Sequence, residues 1–164
     1  LHIDSSLFVD SLKYTTEGGR VVYGGGGIMP DVFIPIDTSG GSFLLDQLHR
    51  LQAFYKFGFD YASRKGKSHF GDLKRYTSSF RISPRLRNTF FDYANGLGKV
   101  TTSEKDLCVS KSRIDQNIKA EIVRFVWDQQ GFTAVVNQYD RDVQQALKVL
   151  NLKKEERLSY RFIP

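Results

Sequence analysis

Residues 112–150, SRIDQNIKAEIVRFVWDQQGFTAVVNQYDRDVQQALKVL, decide the fold class. Ile114, Ile118, Ile122, Phe125 and Val126 recur every three or four residues, the spacing that lines one face of a helix. After Gly131 the same spacing resumes through Phe132, Val135, Val136, Tyr139, Val143, Leu147 and Leu150. The pattern predicts two antiparallel helices joined at Gln129-Gln130-Gly131, with Trp127 near the corner. Ile118, Ile122 and Phe125 should then face Tyr139, Val143 and Leu147, and Ser110-Lys111-Ser112 reads as the helix start.

Working toward the amino terminus, Leu44, Leu48, Leu51, Phe54 or Tyr55, and Tyr61 form one apolar stripe behind a Ser42 cap. One continuous helix is expected there, ending near Arg64-Lys65-Gly66. A second runs from Pro84 to Leu97, capped by Ser83, with Pro84 at its first position and Gly96 or Gly98 as its stop. Asp72-Leu73-Lys74-Arg75-Tyr76 adds a turn or a short helix between them. Lys153-Lys154-Glu155-Glu156-Arg157 reads as a solvated tail.

Before Ser42 the composition changes. Arg20-Val21-Val22-Tyr23 and Val32-Phe33-Ile34-Pro35-Ile36 are β-branched and aromatic runs bounded by glycines, which predicts two short strands, with Pro35 confining one to an edge. Residues 6–14 show no clean period. The expected class is α+β, mostly α: a short strand and glycine-turn segment, residues 1–41, then a small helical bundle, residues 42–152, then the tail, 153–164.

Composition narrows the chemistry. The 164 residues carry 24 Lys and Arg against 18 Asp and Glu, a formal charge of +6, but both signs are interspersed along the chain. Nucleic acid is not an expected partner. No apolar run approaches the roughly 20 residues of a membrane-spanning helix, so no span is expected. The opening Leu1 and the lack of a signal-like start suggest a soluble fragment of something longer. Cys108 is the single cysteine, read as a partly buried small hydrophobe, and no Cys/His spacing suggests a metal.

One motif stands above background: Gly24, Gly25, Gly26, Gly27, Ile28, Met29, Pro30 and Asp31, preceded by Gly18-Gly19-Arg20-Val21-Val22-Tyr23. A phosphate-cradling loop needs a helix after its glycines and a Lys-Ser or Lys-Thr close behind. Pro30-Asp31 and a strand-like run follow instead. The glycines therefore read as a turn that permits positive backbone dihedrals and close chain passage, with Pro30 setting the exit.

Lys13-Tyr14-Thr15-Thr16, the run from Gly19 to Ile28, and Pro30-Asp31 resemble the closing segment of the catalytic domain in carboxyl-terminal processing (tail-specific) serine peptidases. The Gly-Gly-Gly-Gly-Ile form resembles the variant in Bacteroidetes-type bacteria. So do Ile118-Lys119-Ala120-Glu121-Ile122 through Trp127, and Tyr139-Asp140 before Val143 and Ala146-Leu147. The resemblance implies a periplasmic or cell-envelope endopeptidase that processes proteins from the carboxyl end, with a Ser nucleophile and a Lys general base of lowered pKa and no cofactor. In that family both catalytic residues precede the segment matching Lys13 to Asp31, so no catalytic residue carries over and Gly24 to Gly27, Ile28, Pro30 and Asp31 are a structural motif. Ser110-Lys111-Ser112 and the scattered His2, His49 and His69 make no alternative centre. The chain is then an inactive carboxyl-terminal portion whose parent acts on protein or peptide substrates, with self-association expected through residues 20–36. The competing reading is an independent helical protein-interaction module with a basic surface.

Overall fold

The structure, a computed structural model, describes residues 13–19, 21–23 and 34–151. The chain divides into two compact units, one of residues 37–144 and one assigned from residues 1–36 and 145–164. The protein is mostly helical, as the periodicities predict.

In the smaller unit the described strands are β1 (Lys13–Thr15) and β2 (Val21–Tyr23). They pair antiparallel with Lys13 opposite Tyr23, Tyr14 opposite Val22 and Thr15 opposite Val21. The Gly19 amide donates to the Thr16 carbonyl at 2.8 Å, and Gly19 holds φ at +76°, a left-handed conformation cheap only for glycine. β2 matches the expected strand; β1 is not among the expected strands and begins at the end of the segment without periodicity, residues 6–14. Ile34 to Ile36 form no strand, and Val32-Phe33 and the motif from Gly24 to Asp31 lie outside the described residues.

The larger unit begins at Asp37. Helix α1 (Phe43–Arg50) is capped by Ser42, whose Oγ accepts from the Leu45 amide at 3.1 Å. The expected continuous helix is broken after one turn or two. Gln52 adopts a left-handed φ of +53°, and α2 (Ala53–Lys65) starts on a new course. The Lys56 ammonium donates to the Leu51 carbonyl at 3.1 Å, placing a cation where the α1 carbonyls end. The apolar spacing runs on across this joint because one left-handed residue redirects an axis without interrupting the order of buried side chains.

A 3₁₀ turn (Lys67–Phe70) leads to α3 (Leu73–Ser79), capped by Asp72, which accepts from the Arg75 amide at 2.8 Å. Helix α4 (Pro84–Leu97) has the expected bounds, with the Ser83 Oγ accepting from the Leu86 amide and Gly98 at its end. Helix α5 (Glu104–Val136) starts earlier than the sequence suggests. Ser103 is its cap, accepting from the Asp106 amide at 3.0 Å, so Ser110-Lys111-Ser112 lies inside the helix rather than at its start. The buried Ser110 hydroxyl donates back to the Asp106 carbonyl at 2.6 Å and accepts from the Ser42 hydroxyl at 2.9 Å, satisfying itself within the helix turn and α1.

The predicted joint at Gln129-Gln130-Gly131 is also displaced. The helical course breaks at Trp127 (φ −134°, ψ 28°) and Asp128 (φ 53°, ψ −153°), and Gly131 is buried in the helical turns beyond. A Cβ on Gly131 would sit 3.0 Å from atoms of Val123 and Trp127, so the chain after the kink lies close against the turn before it. The chain leaves helix again at Asn137, and α6 (Arg141–Asn151) follows. No residue of α6 is buried; Leu147 is 49% exposed and Tyr139 42%. The expected pairing of Ile118 and Ile122 with Tyr139 and Leu147 is therefore not the core.

The core instead joins α2 to α5, with α1, α3 and α4 around them. Phe54 stacks on Phe90 with ring centroids 5.0 Å apart, and Phe57 meets Phe90 edge-on at 5.3 Å. Leu44, Leu48, Ile114, Ile118, Ile122 and Val123 are fully buried beside them. Gly58 lets α2 and α5 touch: a Cβ there would stand 2.7 Å from the Glu121 carbonyl carbon.

Candidate functional site

The residues that invite a catalytic reading do not converge. Ser110 is bonded to Ser42 and Asp106, His49 is exposed with its ring 5.0 Å from that of Phe54, and His69 is exposed against Phe70. His2 lies outside the described residues. Cys108 is exposed on α5, not partly buried, because the earlier helix start turns its position outward. Among the described residues no three His, Cys, Asp or Glu side chains stand together as a metal site.

The residue that sequence reasoning missed is Lys119. It is 3% exposed in the middle of α5, and its ammonium donates to the Thr77 carbonyl at 2.7 Å, near the end of α3. The Tyr76 hydroxyl donates to the Lys119 carbonyl at 2.9 Å, and the Lys119 Nζ lies 5.9 Å from the Tyr76 ring centroid. Burial, with Arg81 nearby, pulls the amine down from 10.5 to about 8. Burial likewise pushes the Tyr76 phenol far up. Between two isoleucine-bearing turns Lys119 reads on paper as one more surface lysine; only the packing of α3 over it reveals the burial.

A lysine amine of lowered pKa is the chemical requirement for a general base, but its hydrogen bond goes to a backbone carbonyl. The neighbouring hydroxyls are also engaged: Thr77 and Ser78 both donate to the Lys74 carbonyl, at 2.9 and 2.8 Å. The arrangement fastens α3 to α5, since the last carbonyls of a helix lack partners of their own.

Two surface cavities differ in character. One of about 330 Å³ lies between α1, α2 and α5, lined by His49, Gln52, Tyr55, Asn117 and Glu121. Its carboxylate is already paired, with Arg124 Nε 2.8 Å from Glu121. The other, about 600 Å³, lies between the end of α2 and the start of α4 and is rimmed by Arg64, Lys65 and Arg85 over Tyr61 and Leu86.

Residues 44–128, just over half the chain, match a family described as a family of unknown function, DUF8443. This chain belongs to the DUF8443 family. No curated protein matches it, and no solved structure does. The DUF8443 region opens at Leu44, the first buried side chain of α1, and closes at Asp128, the kink in α5. It therefore contains the α2–α5 contact, the Lys119 fastening and both cavities, and excludes the hairpin.

Proposed function

We propose that this DUF8443 chain is the non-catalytic carboxyl-terminal portion of a serine endopeptidase that processes or degrades proteins from their carboxyl ends in the periplasm or cell envelope. The observation that carries the reading is the hairpin. Its second strand ends at Tyr23, directly before the Gly24 to Asp31 run that resembles the end of a peptidase catalytic domain. The helices that follow have a core of their own and would serve packing, assembly or substrate access in the intact enzyme. The nucleophile and its Lys base would lie upstream of Leu1. Lys119, the one lysine among the described residues with a strongly depressed pKa, is bonded to a carbonyl rather than a hydroxyl. Among the described residues no helix is long and apolar enough to cross a membrane.

The test is the open reading frame that contains this chain. Reading it upstream should reveal a Ser and a Lys in the peptidase spacing, and the full product should react with a fluorophosphonate probe and cleave unfolded casein. A full product that does neither removes the proposal. Hairpin residues outside a complete sheet would also favour pairing between copies through residues 20–36. Light scattering of this chain against a version starting at Ser42 reads that directly, with association expected only in the longer one.

A further inference from the structure

We propose that the cleft between α2 and α4 is a binding site for a peptide carboxylate with an apolar side chain beside it. Arg64 and Lys65 come from the last turn of α2, and Arg85 from the first turn of α4. None of the three is paired with a carboxylate among the described residues. Arg64 spends its Nε on the Asp60 backbone carbonyl at 3.2 Å, which leaves its terminal nitrogens, and the whole Arg85 guanidinium, turned to ligand or solvent. The Asp60 carboxylate stands one turn before Arg64 without forming an ion pair with it, and burial, followed by Asp60, raises the Tyr93 phenol.

Three cations that form no ion pair among the described residues surround a cavity of about 600 Å³ and favour anions there, and two guanidinium groups present planar donor pairs that match carboxylate geometry. The helix end contributes little. Pro84 has no amide hydrogen, and the Leu86 amide is taken by Ser83. Charge and shape come from the side chains.

The floor selects the rest of the ligand. Half-buried Tyr61 and Leu86 give an apolar base, and the Lys65 ammonium rests 5.9 Å from the Tyr61 ring centroid, which holds the charge at the rim. A free inorganic anion would use the cations and leave the floor wet. A peptide carrying a carboxylate next to a Leu or Phe side chain would use both, because covering that side chain removes apolar surface from water.

Isothermal titration of the full 164-residue chain, at low and at physiological salt, tests this with three probes: an acidic hexapeptide containing Glu-Leu with both ends blocked by acetyl and amide groups, the same blocked peptide with Gln for Glu, and inorganic phosphate. The acidic peptide should bind at least about tenfold tighter than either control, and more weakly at the higher salt. Arg64→Gln with Arg85→Gln should abolish that margin, whereas Arg64→Lys with Arg85→Lys, which keeps the charge, should retain part of it. Both positions are on the surface, so circular dichroism melts should coincide with the parent and exclude unfolding as the cause. Equal binding of the Gln peptide, phosphate as good a ligand as the acidic peptide, or an unchanged affinity in the double Gln variant would each overturn the proposal.

Discussion

Asp128 holds φ at +53° and ψ at −153°, a combination that only glycine adopts without strain, at the point where α5 kinks and the DUF8443 match ends. Its side chain is exposed. Asp128→Gly should therefore stabilise the protein by about 1 kcal/mol, because relief of strain of about 1–3 kcal/mol exceeds the added entropy of the unfolded glycine. Urea denaturation of the two proteins measures the difference, and a less stable glycine variant would mean that Asp128 makes a contact that outweighs the strain.

Lys119 gives the second prediction at this scale. Its native amine releases its proton near pH 8, while the unfolded chain holds one up to 10.5. Between about pH 8 and 10 the unfolded state thus binds more protons, so stability should rise with pH, by at most about 1.4 kcal/mol per pH unit for one proton. Above pH 10 the trend should reverse, because the buried phenol of Tyr76 stays protonated in the fold and ionises in the unfolded chain. Lys119→Met should flatten the rise between pH 8 and 10. Urea midpoints at several pH values, in parent and variant, read the slope; a rise that survives in Lys119→Met assigns it to another group.

At the scale of elements, the pair that holds the fold is α2 against α5. Gly58→Ala would set a Cβ 2.7 Å from the Glu121 backbone, where neither helix can yield locally, so it should cost about 1–3 kcal/mol despite the higher helix propensity of alanine. Ile118→Ala, at a fully buried site, should cost about 2–5 kcal/mol, and Leu147→Ala in exposed α6 less than about 1. Thermal melts of the three variants rank them, and equal losses at Ile118 and Leu147 would restore the pairing across Gly131. Local chemistry made α4 legible in full, because Ser83, Pro84 and Gly98 mark both ends. It did not reveal the break at Gln52 or the kink at Trp127, since neither position carries a glycine or proline and the apolar spacing runs across both.

For the molecule as a whole, the chain should show no peptidase activity by itself. Casein should remain intact, and a fluorophosphonate probe should label no serine; labelling that disappears when one serine becomes alanine would place a nucleophile inside these residues. The described hydroxyls nearest a lysine of lowered pKa already donate to backbone carbonyls, which leaves no Ser-Lys hydrogen bond there.

The amino-acid sequence by itself determined the helical class, the caps at Ser42 and Ser83, and the strand at Val21 to Tyr23. These depend on interactions within a few residues, where periodicity and side-chain-to-amide bonds are local. It also carries the glycine run on which the peptidase reading rests. The tertiary structure decided the rest: the partner of α2, the burial of Lys119 under α3, the outward turn of Cys108, and the meeting of Arg64 and Lys65 with Arg85. Each of these joins residues about 20 or more positions apart or depends on a helix start several residues from the expected one. Sequence spacing along one helix says which face is apolar, but not which other helix covers it or which charged groups that packing brings together.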